Sequence, residues 1–542
     1  MKKLLALALV LCVALSCVIP ATAESETPVL VIARPADALI EDYETNTQTL
    51  LLEEEFGVDL QFLVLPSEDA SAKLAVLVNS GSELPDIINM ELSTSDIVSY
   101  ANKGVLLPID DFFYDDEKMG AYYDPYYELT EKEYDLIRRM VTMADGHIYS
   151  LPAVNAGPWN QTPVKMWINM KFLENLGLEV PTTTEEFKAV LKAFVEDDPN
   201  GNGEKDEIGL VGGASGWPTA NIIAALIGSF APDTYSDGYY YVEDGQIKAG
   251  FIEDRFRDGL AYIYDLVQEG LIYPASFTQD ATQFKAIVAD VSKDYVSGII
   301  VAASDSGWWS DYAAESLQML PPVIGPDGAQ WATHKDFSAS QKWFITSDCS
   351  DPELALTLGA SGYRPESSMM SRYGIYGVNW TDDPEICANY EGKMPGSGYQ
   401  LVYAILDDTP WTNIQNDYWR QALPFLETNA SLAKKGGALK KSDSERTPNE
   451  MWSAYYMTWT NDRYCKYAYP DTVGPLAYTE DETYAMADLK TSLSTYVNEN
   501  ITLFATGGRS LAEWDAYVQE LDAIGLQDYI AIMQQAYDRM NG

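Results

Sequence analysis

Five oxygen-bearing side chains at alternate positions mark the stretch of this sequence whose residue types and spacing specify a chemistry most sharply. They are Asp198, Asn200, Asn202, Glu204 and Asp206, with Gly203 among them. Counted from Asp198 as position 1, they stand at 1, 3, 5, 7 and 9, and the glycine stands at 6. Donors at alternate residues let a short loop wrap a hard cation, and a residue that turns sharply at position 6 is what an EF-hand calcium loop needs. Asn keeps the number of donors up without adding charge. Position 12, where an EF-hand places its closing carboxylate, is Gly209 here, so Glu207 at position 10 is the nearest residue able to close the site. The bland reading of the same string is an Asp/Asn/Gly-rich surface turn. Six spaced donors and the glycine favour calcium, at the end of a helix and away from any catalytic-looking cluster, hence in a structural role.

Other chemistries find less support. The chain holds two histidines, His147 in a turn-like ADGHIY and His334 in a polar stretch, and neither has a nucleophile elbow G-x-S-x-G for company. Carboxylate pairs for glycoside cleavage occur by chance among 82 acidic residues and carry no weight. Once the leader is removed the cysteines are Cys349, Cys387 and Cys465, an odd, widely spaced set that is neither a disulfide framework nor a zinc motif. At most one pair of them can bridge.

Residues 1–23 read as a signal peptide: Lys2 and Lys3 ahead of an apolar run from Leu4 to Leu15, then Ala21-Thr22-Ala23 as a cleavage site. Ala14-Leu15-Ser16-Cys17 also reads as a lipobox variant that would place a lipid on Cys17. Either route puts the mature chain outside the cytoplasm, released or held at the cell surface. The full chain of 542 residues is too long for one core, so two or more domains are expected. With 35 Lys and Arg against 82 Asp and Glu, the formal charge is −47. Such a surface repels nucleic acid and anionic lipid, and only a local basic pocket would admit a strongly anionic ligand.

The elements that must position the acidic loop are legible around it. Thr183 and Glu186 form a capping box, and Phe187, Val190, Leu191 and Phe194 recur on one helical face ahead of Asp198. Asn169 caps a shorter helix, Met170 to Leu176, stopped by Gly177. Toward the N-terminus, apolar strands at 29–33, 58–64 and 86–90 alternate with helical patterns that end at Phe56, near residue 79 and at Gly104. That rhythm predicts a parallel sheet with ligands at the carboxyl ends of its strands, near Arg34 and just after Met90. Helices are also expected across Thr219–Phe230 and Asp254–Leu271. A buried strand at 296–303 suggests a return to the first lobe, and KKGGALKK at 434–441 reads as a mobile basic loop. A capping box of Ser510 and Glu513 opens a helix burying Trp514, Tyr517, Val518 and Leu521.

The order of these motifs resembles the extracellular solute-binding proteins of family 1, the receptors of carbohydrate ABC importers, and most the subset that includes the alginate oligosaccharide-binding proteins. GHIYSLPA at 146–153, MWINMKFLENLGLEVPTTTEEF at 166–187, DPNGNGEKDEIGL at 198–210 and GGRSLAEWDAYVQELDAIGL at 507–526 carry the resemblance. It implies a two-lobed, periplasmic-binding-protein-like α/β fold of class II type with helical C-terminal additions. The lobes are expected at 24–150 with 296–375, and at 151–295 with 376–500, followed by helices over 501–542. It implies a calcium site of Asp198, Asn200, Asn202, the Glu204 carbonyl, Asp206 and Glu207. It further implies an extracellular monomer that is no enzyme, closes on an oligosaccharide and docks on a membrane permease.

A sugar offers C–H faces to flat rings and hydroxyls to polar groups at their rims. Loop aromatics beside strand ends are the candidate platforms: Trp159 with Asn160, Trp217, Trp308 and Trp309, Tyr376, Asn379 with Trp380, and Trp411. Tyr376-Gly377 departs from the Glu-Gly that relatives often carry. Arg34 reads equally as a ligand contact or as the partner of a neighbouring acid. Trp167, Trp343 and Trp514 sit in apolar-patterned elements and are expected in the core. Two rival functions share these features: a secreted polysaccharide-active enzyme with a carboxylate pair, and a receptor for a peptide or other solute.

Overall fold

The computed structural model describes residues 27–541 apart from 121–123, 290–294, 305–310, 336–337, 395–396, 408–412, 443–444 and 446. The leader, with Cys17, lies outside the described residues.

The chain builds a first sheet, crosses to a second, and returns. The apolar run after Pro28 forms β1 (Val29–Pro35), which pairs in parallel with β2 (Asp59–Leu65) and with β3 (Ile87–Ile88). Between β1 and β2 the Asn46 side chain caps the helix Thr47–Phe56, which stops at Gly57 as expected. β4 (Ser150–Asn155) then brings the chain to the edge of the first lobe. The second sheet takes β5 (Lys165–Asn169), β6 (Ile208–Val211), β7 (Ser297–Ala302) and β8 (Leu317–Leu320), in the order β8-β5-β7-β6. The chain re-enters the first sheet as β9 (Ser338–Ile345) and β10 (Leu426–Glu427), completing the order β10-β4-β9-β3-β1-β2.

β9 runs antiparallel to both β3 and β4, so the first sheet is mixed and not wholly parallel. Each sheet has its own core. Leu30, Ile32, Leu60, Ile87, Trp343 and Trp419 are buried in the first. Met166, Phe187, Phe194, Leu210, Ile299 and Phe504 are buried in the second, which the helices Glu480–Thr506, Trp514–Ile524 and Leu526–Asn541 complete. Burying each such side chain contributes roughly 1.5–3 kcal/mol before the entropy of ordering is subtracted.

The hinge lies at one end of both sheets. The carboxyl ends of β1 and β3, the start of β9 and the end of β4 share one end of the first sheet. In the second sheet Lys165 pairs with Ala302 and Met166 with Leu320, so the start of β5 and the ends of β7 and β8 meet there too. The chain passes between these ends over 156–164, over 321–337, and again between β10 and the helix Pro448–Arg463. Arg463 of that helix donates to the Met319 carbonyl in β8, and Lys335 N–H donates to the Gln161 carbonyl, tying two of the crossings together.

This layout moves the expected lobe boundaries. β7, expected to return to the first lobe, is an inner strand of the second sheet, bonded to β5 and β6. The division after residue 150 would cut β4, so the first crossing starts at 156. The described strands between 376 and 439 stay with the first lobe: β10 pairs with β4, and the strands Trp380–Thr381 and Tyr403–Ile405 pack on Tyr126. The stretch 434–441 is no mobile loop; its Lys435 is 4% exposed and lies in a short strand parallel to Tyr403–Ile405. Thr219–Phe230 shrinks to a helix at Ile222–Ile227 capped by Asn221. Ser510 accepts from Ala512 N–H and opens a 3-10 turn, with the helix starting at Trp514. Cys349, Cys387 and Cys465 are all free thiols. Among the described residues no helix is long and apolar enough to cross a membrane.

Candidate functional site

The acidic loop sits where its helix predicts. The helix Thr184–Glu196 opens with the Thr183–Glu186 capping box and buries Phe187, Val190, Leu191 and Phe194, anchoring its far end against the second sheet. The chain then coils on itself. Asp198 accepts from Asn202 N–H at 3.1 Å and from Gly203 N–H at 3.0 Å, and the Asn200 and Asn202 amide oxygens accept from Asn202 and Glu204 N–H. Gly203 has φ +85°, a left-handed turn that a Cβ would strain.

Glu207 is the telling group. It is 7% exposed, and neither carboxylate oxygen has a well-formed hydrogen bond; the nearest donors are the backbone amides of Asn200 and of Glu207 itself. Burial, reinforced by the charges of Asp198 and Asp206, pushes its carboxyl up. A buried carboxylate left in this state is costly unless a cation or proton joins it. The donor set therefore fits a hard cation. Among the described residues no group of three or more Asp, Glu, His or Cys side chains converges as a metal centre, so for a cation here amide and backbone oxygens would have to supply the remaining ligands.

A second cluster lies along the hinge end of the first sheet. Arg34, the penultimate residue of β1, is 6% exposed, with its guanidinium 4.3 Å from the Tyr43 ring centre and 5.9 Å from that of Trp419. Its Nε and Nη1 are buried without a hydrogen-bond partner, and burial holds its pKa below the usual range. Asn89, just beyond β3, donates to the carbonyls of Lys342 and Ala422. Lys342 on β9 donates to the Gln421 carbonyl at 2.6 Å, and burial lowers its ammonium to about 8. Arg420 and Gln421 take φ +50° and +60°, two consecutive non-glycine residues in the left-handed region. Backbone strain of this kind concentrates at ligand sites.

The same network continues across the sheet end. Arg420 pairs with Asp37, and Arg372 donates to the Gln421 side chain and the Tyr373 hydroxyl. Glu427 on β10 pairs with Lys435, both almost wholly buried. Burial alone would raise the Glu427 carboxyl, but Lys435 and Arg372 hold it at about 2. Burial would likewise raise the Tyr373 phenol, yet Lys393, Lys435 and Arg372 together bring it down to about 7.

The structure sorts the expected aromatic platforms. Trp217 stands 58% exposed in the loop after β6, at the hinge end of the second sheet, where Pro218 accepts from Ala303 N–H beyond β7. Tyr376 is 56% exposed, its hydroxyl bonded to Asp382 and its ring edge-on to Trp380. Asn379 and Trp380, expected at the ligand, are instead buried and structural. The Asn379 amide oxygen accepts from Ile375 N–H, Trp380 donates to the Gly374 carbonyl, and its ring packs with Tyr373 and Tyr403. Gly374 is required there, because a Cβ would lie 2.6 Å from the Asn379 oxygen. Trp159 and Asn160 fall in a helical turn, Pro158–Gln161, on the first crossing; their side chains lie outside the described residues, as do Trp308, Trp309 and Trp411 entirely. Trp167, Trp343 and Trp514 are core as expected. Sequence reasoning missed Tyr43, Lys342, Arg372 and the Trp419–Gln421 turn. The adjacent Trp-Arg in YWRQA was the one available signal.

Comparison with known proteins gives a consistent answer. Residues 33–366, more than half of the chain, match the family described as bacterial extracellular solute-binding protein. The fructooligosaccharide ABC transporter substrate-binding protein FusA of Streptococcus pneumoniae serotype 4 is 26% identical over 512 residues, 90% of this chain and 86% of that protein. FusA in complex with kestose superimposes with a TM-score of 0.66 at 25% identity, over 95% of this chain and 99% of that one. A solute-binding protein from Bifidobacterium longum infantis, described as "HMO binding", gives a TM-score of 0.77 at 19% identity over 95% of this chain and 99% of that one, a likeness of fold. The lipoprotein LipO of Bacillus subtilis is 24% identical over 281 residues, 51% of each chain.

Proposed function

From its membership of the bacterial extracellular solute-binding proteins, to which this chain belongs, we propose that it is the substrate-binding receptor of an ABC sugar importer. It takes an oligosaccharide between its lobes and presents it to a membrane permease, with no bond made or broken. The observation that carries this reading is the hinge. Two sheets turn their strand ends toward a thrice-crossed junction, with the exposed indole of Trp217 on one side and the polar cluster around Arg34 on the other. A ligand that touches both lobes stabilises the closed form by those contacts alone. Trp217 offers a stacking face, Arg34 offers donors, the Asn89 amide oxygen offers an acceptor, and Trp159, Asn160, Trp308, Trp309, Tyr376 and Trp411 complete the proposed contacts. The likeness to FusA over most of both chains supports an oligosaccharide ligand.

The acidic loop is proposed to hold calcium through Asp198, Asn200, Asn202, Glu204, Asp206 and Glu207. The ion supplies positive charge that lets the Glu207 carboxylate stay ionised while buried. The mature protein is proposed to act as an extracellular monomer, released after residue 23 or lipid-anchored at Cys17. A thermal-shift screen over oligosaccharides and peptides, with and without a chelator, tests the function. Stabilisation by a sugar is expected. Stabilisation by peptides alone, or turnover of any sugar, overturns it.

A further inference from the structure

We propose that the second lobe carries a further binding site, apart from the hinge, that takes a short uncharged sugar. A cavity of about 600 Å³ lies between the turn Tyr235–Asp237, the strand Tyr240–Glu243, the segment 473–478 and the helices Glu480–Thr506 and Leu526–Asn541. None of the hinge-end residues named above lines it. Its volume falls within the roughly 300–1,000 Å³ of small-molecule sites. Protein cores are otherwise filled to the density of organic crystals, so an open space beside the buried Leu493 and Val497 forfeits packing that larger side chains would supply.

The walls hold hydrogen-bonding groups that the protein leaves unmatched. Tyr240 and Tyr529 are 8% and 7% exposed with their rings 5.7 Å apart, and the half-buried Tyr478 lines the same space. Among the described residues none of these three hydroxyls has a hydrogen-bond partner, whereas a buried phenol ordinarily finds one. Burial raises each phenol above its ordinary range, so all three stay neutral and can both donate and accept. Tyr240 also meets Phe251 edge to face at 5.4 Å, so flat rings and hydroxyls share one chamber. A sugar ring matches that lining, with C–H faces for the rings and hydroxyls for the phenols. A hydrocarbon would leave all three hydroxyls unmatched. The two charged residues of the lining, Asp237 and Lys490, are opposite in sign, so an ion entering the apolar interior would meet no net counter-charge. Lys490, Ser494 and Asn498 recur every fourth residue along the exposed edge of their helix and mark the mouth.

Saturation-transfer NMR of the full chain tests this, with glucose, sucrose and lactose as neutral probes and phenol and hexanol as controls. The expected result is a sugar signal that survives Trp217→Ala and answers to the cavity. Tyr240→Phe and Tyr529→Phe should each weaken it about five-fold, the size of one hydrogen bond, and Leu493→Trp, which fills the space, should abolish it. Should Leu493→Trp fail to fold, the two phenylalanine variants, which keep their rings, decide alone. The proposal is wrong if no sugar signal responds to the cavity variants, or if phenol or hexanol occupies the cavity and no sugar does. Either result leaves the hinge reading untouched, because titration of oligosaccharide into the cleft is measured separately. A cavity that takes sugar beside a cleft that takes none defeats the receptor reading and leaves this site standing.

Discussion

Replacing Glu207 by Gln separates a metal loop from an ornamental turn. In the free protein the Glu207 carboxylate is buried without a well-formed partner and in the field of Asp198 and Asp206. Its folded pKa therefore exceeds its unfolded one. The sign follows: the folded state binds the extra proton, so stability is greatest below the unfolded carboxyl pKa and declines as pH rises through the folded value. Chelated protein should thus melt higher in mild acid than at neutral pH. Bound calcium would reverse the cost. At a free concentration about 100 times its Kd it stabilises by roughly 2.7 kcal/mol. For a unit of the second lobe's size that is a rise of roughly 5–10 °C in Tm. Glu207→Gln removes the charge that the ion must offset, so the chelated variant should melt at or above chelated wild type. Its calcium response should shrink to a small fraction. Differential scanning calorimetry of both proteins, with chelator and with excess calcium, measures all four states. A variant that keeps the full calcium shift, or a wild type that shows none, refutes the reasoning.

Lys435→Met should cost about 3–5 kcal/mol in urea unfolding by stranding Glu427, and adding Glu427→Leu should restore most of it; a harmless single variant would contradict the buried pair. Trp380→Ala should lose about 3–5 kcal/mol of stability through its cavity. Trp217→Ala, exposed, should change stability by under about 0.5 kcal/mol yet weaken sugar binding, and a reversed pattern would exchange their roles. Tyr373 should show phenolate absorption in the near ultraviolet on titration through about pH 7, absent from Tyr373→Phe. The stability it contributes is present above the usual phenol range and lost as pH falls through that value.

Local rules carried far along this chain. Caps at Asn169 and Thr183, stops at Gly57 and Gly177, and the stripe from Phe187 to Phe194 all formed as their spacing predicts, because each depends on neighbours within a few residues. The acidic loop belongs to the same class. Long-range pairing was not legible: nothing in VSGIIVAA says whether it joins the first sheet or lies between β5 and β6. Nor does a tryptophan in a Gly-rich loop announce which way it faces. Trp217 points outward and Trp380 inward, and the difference is made by Tyr373, Tyr403 and Gly374, which are distant or silent in the local pattern. Lys435, in a run that reads as solvated charge, is drawn inside by Glu427, eight residues before it and on another strand.

The interleaving of the two sheets has a consequence for how the molecule comes to exist. β9 and β10 complete a sheet begun some three hundred residues earlier, and the helix ending at Asn541 closes a core whose first strand is Lys165–Asn169. A growing polypeptide therefore has no finished half to set aside while the rest is made. Partners so far apart in sequence meet late and slowly, with apolar edges bare in the meantime. A ribosome-bound fragment lacking the last helix should stay sensitive to protease throughout its second half, and that same delay leaves the chain pliable enough to be threaded before it locks.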